Sequence, residues 1–296
     1  MASTQEFRRR IKSVNNTKQI TKAIEMVSSV KMQKAVKTIS DARSFVQNSW
    51  NIFEKLAKLT LPQNHLLLSP KKINKTAIIF ITSDRGLCGS YNSDLFKKIT
   101  NHVNESGNEK CDIIAVGKKG AEYVKNYSIG NLVAVFPGFE TNIKIEDVVP
   151  ISKLTNGEYL AEKYDKVLII YSHFESSLKQ TPVIKQLLPI KKEHIDMPDL
   201  WESVKGENEK EVEYKIEPNP DDILDKLLRR FVRLQIFGSM LEANASEYSA
   251  SMVAMKNATE NAGDLIDELT LTYNSIRQNS ITNEIAEISG AVEAMK

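Results

Sequence analysis

From Leu241 onward, apolar or small residues return at alternating steps of four and three: Leu241, Ala245, Tyr248, Met252, Met255, Ala262, Ile266, Leu269, Tyr273 and Ile276, with Thr259 the one polar member. That spacing keeps one helix face toward a partner and, sustained over about five heptads, predicts a coiled-coil seam. The next seam positions are Ser280 and Asn283, and the apolar series restarts one residue out of step at Ile281, Ile285, Ile288, Val292 and Met295. The seam is therefore predicted to end after Ile276, with a different face turning apolar beyond it. The start of the chain carries a less regular version: Phe7, Ile11, Val14, then Ile20, Ile24, Val27, then Met32, Val36, Ile39, Phe45 or Val46, Trp50 and Phe53. This stripe reads as one that shifts phase along the helix.

Between the two ends the pattern changes. Short continuous apolar runs at 76–84, 111–117, 131–136, 166–174 and 181–190 alternate with helical patterns at about Ser93–Asn104, Lys119–Asn126 and Ile145–Lys163. Strands that are apolar throughout, each followed by a helix, predict a doubly wound, mostly parallel α/β sheet of Rossmann-like type. The last two runs have no helix between them and predict an antiparallel hairpin. Residues 191–220 are charged and broken by Pro198, Gly206, Pro218 and Pro220, which predicts an irregular connection leading to a helix N-cap at Asp221 or Asp222. Proline and glycine sharpen these borders, because both weaken helix interiors. Residues 1–61 contain neither, and 221–296 contain no proline and only Gly238, Gly263 and Gly290. The expected division is an N-terminal coiled-coil helix at 1–61, a central α/β domain with its charged connection at 62–220, and a C-terminal coiled-coil helix at 221–296.

Charge couples the two ends. Residues 1–58 hold 12 Lys/Arg against 4 Asp/Glu, a net of +8, while 221–296 hold 7 against 12, a net of −5. Opposite charge favours pairing, but exposed ion pairs contribute only about 0.2–1 kcal/mol each, so the apolar seam must supply most of the association energy. An antiparallel pair follows if the central domain brings both inner ends together. At 1.5 Å per residue the helices run roughly 80 and 110 Å, which leaves about 20 residues at the C-terminal end without a partner in this chain.

Candidate chemistry is sparse. The stretch "TSDRGLCGSYNSD" (82–94) places a glycine-rich turn after the first strand, where doubly wound folds hold phosphates, but it matches neither G-x-G-x-x-G nor a P-loop, which needs Lys and a hydroxyl where Ser90 and Tyr91 stand. A tight structural turn fits better, with Asp84 and Arg85 read as a local cap and salt bridge rather than a catalytic pair. His65, His102, His173 and His194 lie scattered, with no ligand spacing for a metal. Cys88 and Cys111 are too few for a disulfide framework and read as reduced and structural. No run reaches the length of a membrane helix and no secretory signal opens the chain, so a soluble product in a reducing compartment is expected. The basic stretch at 7–22 could track a phosphate backbone. It carries the apolar stripe of a coiled coil and lacks interleaved aromatics, which favours a solvated face opposite an acidic partner over nucleic acid.

Three segments, "RIKSVNNTKQITKAIEMVSSVKMQKA" (10–35), "ITSDRGLCGSYN" (81–92) and "ASEYSASMVAMKNATENAGDLIDELTLTYNSIRQNSITNEIAEISGA" (245–291), resemble the signatures of the gamma subunit family of F-type ATP synthases. The resemblance implies a non-catalytic rotor shaft, with its coiled coil inside a ring of three alpha and three beta subunits and its α/β domain on a ring of c subunits, bound by an epsilon subunit. It implies ion flow coupled to ATP synthesis or hydrolysis by rotation, no cofactor of its own, and membrane association only through the complex, on the cytoplasmic face of a bacterial inner (plasma) membrane. Arg277 and Gln278 stand in the family's Arg-Gln pair that contacts the catalytic beta subunits. Ile281, Ile285, Ile288, Val292 and Met295 would form a bearing tip in an apolar sleeve. The regulatory cysteine pair of chloroplast members has no counterpart here. Two other readings stay open on residues alone: a nucleotide-binding α/β enzyme with helical dimerisation arms, and a nucleic-acid-binding coiled coil.

Overall fold

A computed structural model describes residues 4–60, 65–69, 71–107, 110–138, 143–190 and 220–295. The predicted irregular connection lies, up to residue 219, outside the described residues. Two compact units are present, Val30–Ala250 and, from the two chain ends, Met1–Ser29 with Ser251–Lys296. Helix α1 (Thr4–Thr60) and helix α5 (Pro220–Ala294) each contribute to both.

The larger unit is built on a five-stranded sheet of order β3-β2-β1-β4-β5. Strands β1 (Lys75–Ile81), β2 (Lys110–Val116), β3 (Asn131–Phe136) and β4 (Lys166–Phe174) run parallel, and β5 (Gln180–Leu188) returns antiparallel to β4 as the predicted hairpin. In β1 and β2 six of seven residues are buried, because helices cover both faces of the inner strands. One face packs Ile78, Phe80, Ile113 and Ile170 under Leu95 and Ile99 of α2 (Tyr91–Glu105) and Val124 of α3 (Lys118–Tyr127). The other packs Ile79, Ile81, Ile169 and Tyr171 under Ile151 of α4 (Val149–Leu160), Leu228, Val232, Ile236 and Met240 of α5, and Ala35 and Ile39 of α1. The chain winds outward from β1 to β3, then returns to β4 on the other flank of β1. The topological switch point therefore lies between the carboxyl ends of β1 and β4.

Local chemistry moves two predicted borders. The helix expected over 145–163 is a 3₁₀ turn (Ile145–Val148) leading into α4, whose first turn accommodates Pro150 and which ends before Glu162 at φ 57°. Helix α5 starts at Pro220 rather than after an acidic N-cap at Asp221 or Asp222, since the first helical turn has no use for the N–H that proline lacks. At the amino end of the sheet, the buried Asp112 carboxylate accepts hydrogen bonds from Tyr164 Oη and Asn131 Nδ2 at 2.9 Å each and pairs with Lys75 Nζ at 2.9 Å. Burial alone would raise this carboxyl. The bonds from Asn131, Lys75 and Tyr164 outweigh it and hold Asp112 below the usual range.

In the smaller unit α1 and α5 run antiparallel. Thr259 Oγ1 donates to Thr21 Oγ1 at 2.8 Å, and Gly263 packs against the end of the Lys18 side chain. This register places Thr4 opposite about Ile276. Ile266, Leu269, Tyr273 and Ile276 are half-buried, and every described side chain of α5 beyond Ile276 is exposed. The predicted end of the seam thus coincides with the start of the partner helix.

The phase shift predicted for α1 is absent over the described side chains, 5–42; Phe45, Val46, Trp50 and Phe53 lie outside them. Its inward series continues Phe7, Ile11, Val14, Lys18, Thr21, Ile24 and Ser28 in one heptad phase, while Ile20 and Val27 are 60% and 54% exposed and Val36 also faces out. Small or hydrogen-bonding residues on α5 select the inward phase. Gly263 leaves room for the end of the Lys18 side chain and Thr259 gives Thr21 a partner, so apolarity alone does not mark the contact face.

Candidate functional site

The glycine loop between β1 and α2 is knitted to the neighbouring β2–α3 turn. Thr82 Oγ1 donates to the Val116 carbonyl at 3.2 Å and accepts from the Gly120 amide at 2.8 Å. Gly117 (φ 96°) passes so close that an added Cβ would sit 2.2 Å from the Thr82 carbonyl oxygen. Asp84 does not cap its own turn, as the sequence suggested. Its carboxylate accepts from the amides of Lys118, at the start of α3, and Gly138, at 2.8 and 3.1 Å. This side chain takes up the first free amide of α3, not of α2, the helix that follows the glycine loop. Ser83 Oγ donates to the Arg85 carbonyl at 2.5 Å, Asn92 Nδ2 donates to Ser83 Oγ at 2.6 Å, and Cys88 is enclosed beneath the loop. Burial pushes the Cys88 thiol up, away from the reactive thiolate form.

Helix α5 fills the space at the carboxyl end of the sheet. Tyr91 Oη donates to the Ala243 carbonyl at 3.2 Å, Ser246 Oγ to that of Ser172 at 3.0 Å, and Ser249 Oγ to that of Ser177 at 2.6 Å. Glu242, only 1% exposed, meets His173 Nδ1 at 2.6 Å through one carboxylate oxygen. Among the described residues, Ile81, Thr82, Tyr91, Asn244, Glu247 and others line a partly open pocket there of about 20 Å³, close to the volume of one water. A nucleotide pocket is more than tenfold larger, on the order of 300 Å³ at least. The small and hydroxyl-bearing run "ANASEYSAS" (243–251) makes this close seating possible. In the sequence it was legible only as part of the seam.

Of the predicted surface residues, Arg277 and Gln278 lie exposed just past the end of the helix pair, and Ile281, Ile285, Ile288, Val292 and Met295 continue outward from them, all exposed. Sequence reasoning missed a second exposed apolar group on α1, formed by Ile20, Met26, Val27 and Val30, because it assigned two of these to the seam. The histidines do not converge. His65 lies 3.5 Å from Asp225, His173 pairs with Glu242, and His194 lies outside the described residues. Among the described residues no three His, Cys, Asp or Glu side chains form a metal-sized group.

The larger unit is thus a doubly wound body with α5 seated at the carboxyl end of its sheet, and the smaller unit an antiparallel helix pair in which α5 continues past α1. The family profile described as ATP synthase matches residues 3–295. The chain is 37% identical over 292 residues to the ATP synthase gamma chain of Alkaliphilus metalliredigens, covering 99% of this chain and 98% of that one. It is 37% identical over 296 residues to the gamma chain of Pelotomaculum thermopropionicum and 34% identical over 301 residues to that of Legionella pneumophila, with full coverage of both chains in each case. The fold matches a chain of the Euglena gracilis mitochondrial ATP synthase (OSCP/F1/c-ring, rotational state 3) with a TM-score of 0.70 at 20% identity, covering 99% of this chain and 94% of that one. It also matches a chain of the Tetrahymena thermophila central stalk and c-ring with a TM-score of 0.58 at 23% identity, covering 81% and 99%. The chain belongs to the ATP synthase gamma chain family.

Proposed function

We infer that the chain is the rotating central subunit of an ATP synthase, coupling ion flow through the membrane part to ATP turnover carried out by other subunits. The observation that carries this reading is that α5 outruns α1. Past Ile276 it presents Ile281, Ile285, Ile288, Val292 and Met295 to solvent, an apolar run that a lone chain leaves uncovered. This supports a tip enclosed by a sleeve of three alpha and three beta subunits. Such a sleeve makes no directional bonds and lets the helix turn. Arg277 and Gln278, where the pair ends, would meet the beta subunits as a polar catch, and the exposed Ile20, Met26, Val27 and Val30 of α1 would face the same sleeve.

The α/β body would engage the c-subunit ring and an epsilon subunit. Among the described residues no helix is long and apolar enough to cross a membrane, which supports attachment through the complex. The bacterial relatives support a place on the cytoplasmic face of the inner membrane. No step of bond chemistry belongs to this chain. Turning an asymmetric shaft inside the ring forces the three beta sites through different conformations, so ion flow drives ATP synthesis and the reverse rotation pumps ions. The test is reconstitution with the partner subunits immobilised and a probe fixed to the α/β body. ATP-driven rotation of the probe is expected, and turnover with a stationary probe overturns the reading.

A further inference from the structure

The two edges of the sheet differ in how they are guarded. At one, β5 carries Pro182 and Lys185, and all of its residues are buried or half-buried. Proline has no donor to offer a further strand and a lysine resists burial against one, so this edge disfavours strand addition. At the other edge, β3 reads "NLVAVF", with no proline and no charge, and its residues alternate between exposed and half-buried. Val133 and Val135 are 39% and 52% exposed. β3 pairs with β2 along one side, and among the described residues no strand pairs with its other side. Such an edge offers backbone donors and acceptors beside β-branched side chains, which is the surface that strand addition uses.

The unpaired charge beside this strand is positive. Lys118 follows Gly117, whose amide donates to the Phe136 carbonyl at 3.0 Å, so it stands by the carboxyl end of β3. Near the amino end are Lys125, in the last turn of α3 before the Ser128 cap that leads into β3, and Lys110, two residues before Asp112, which is in register with Asn131. All three lysines are exposed and have no carboxylate partner among the described residues. Glu122, the one carboxylate of α3, is paired with Lys119 at 2.9 Å, and the Asp84 carboxylate is taken up by the amides of Lys118 and Gly138. We propose that β3 is a docking edge for an extended strand of a partner protein, apolar at the alternate residues that meet Val133 and Val135 and acidic at its ends, where it meets Lys118, Lys110 and Lys125. The backbone ladder supplies affinity, and the end charges set register and exclude basic strands. In the rotor reading the strand donor must turn with this chain, because a ladder of directional hydrogen bonds cannot slide. The inference rests on the edge itself and does not depend on that reading.

The test uses the full chain and one probe, a short peptide of alternating Val and Thr with Glu at each end, blocked at both termini. Amide hydrogen exchange is followed by mass spectrometry in fragments covering 131–136, with β5 as the reference edge. With the peptide at tenfold its dissociation constant, protection in 131–136 should rise about tenfold while β5 stays constant. The same peptide N-methylated at every interior residue cannot form the ladder and should protect nothing. A version with Lys in place of Glu should bind at least about fourfold more weakly at low salt. Lys118→Glu with Lys125→Glu, both at exposed positions, should reverse that preference and leave the melting temperature near wild type. Protection on β5 instead of β3, equal binding of the N-methylated peptide, or no protection at all overturns the proposal. So does an unreversed preference in the double Glu variant. A dimer in sedimentation that Val133→Lys with Val135→Lys abolishes overturns it too, because the edge then belongs to a second copy of this chain.

Discussion

Replacing Ile285 and Ile288 together by Asp separates the fold of this chain from its place in the assembly. In the chain both side chains are largely in solvent, 59% and 65% exposed, so the change removes no packing and costs only helix propensity, about 0.5 kcal/mol or less per site. Inside a closed apolar sleeve the balance reverses. Fully burying an Ile side chain contributes about 1.5–3 kcal/mol, so covering the exposed fraction of the two should contribute roughly 2–4 kcal/mol together. Asp forfeits this and adds an unpaired buried carboxylate at each site, at several kcal/mol unless the helix is displaced. A total above about 4 kcal/mol is close to a thousandfold or more in assembly. The isolated variant should keep its helical circular dichroism. Mixed with alpha and beta subunits, it should appear in the size-exclusion peak of the complex at a small fraction of wild-type yield, with matching loss of ATP hydrolysis. Truncation from Val292 should do far less, because α5 stays paired with α1 up to about Ile276. Wild-type yield and turnover in the double variant would refute the sleeve.

Replacing Arg277 and Gln278 together by Leu should slow ATP turnover of the assembled complex while leaving its composition by gel densitometry unchanged; unchanged turnover removes them from the coupling path. The purified chain alone should give no heat signal with ATP at micromolar to millimolar concentration, since the glycine loop carries no P-loop lysine and the pocket beside it, lined by Thr82, Tyr91 and Glu247, has room for about one water. Asp112→Ala leaves Lys75 and Tyr164 without their acceptor and should destabilise the α/β body by about 1–3 kcal/mol at pH 7 in denaturant unfolding. Because Asp112 is held below its ordinary 3.8, its stabilising contribution is present above that pH and lost as pH falls through it, so the variant should also flatten the acid limb of the melting curve. An acid limb identical to wild type would count against this network.

What could be read locally was read correctly where one helix or strand settled the matter alone. The β1 and β2 runs are apolar throughout because both faces are covered, and that composition is visible without knowing what covers them. The break in the α5 seam at Ile276 is a property of α5's own spacing, and the structure places the start of α1 opposite it. Even the exposed tip was legible, as an apolar face with no pattern left to receive it.

The errors share one physical cause: a side chain's role there depends on what another part of the chain brings to it. Apolarity placed Ile20 and Val27 in the seam of α1, whereas Gly263 and Thr259 opposite them admit Lys18 and Thr21 instead. Asp84 reads as the cap of its own turn, but the free amides it satisfies belong to Lys118 and Gly138. Glu247 reads as one more charge on an acidic helix until folding sets it beside Thr82, Tyr91 and Asn244 at the carboxyl end of the sheet, where partial burial raises its carboxyl to about 7. By itself the sequence determined the periods, the borders set by proline and glycine, and the charge of each end, because these depend on near neighbours and backbone chemistry. Only the tertiary structure decided which phase of α1 faces inward, and that α5 itself closes the ligand end of the sheet. Both follow from the shapes and hydrogen-bonding groups of surfaces that meet only on folding.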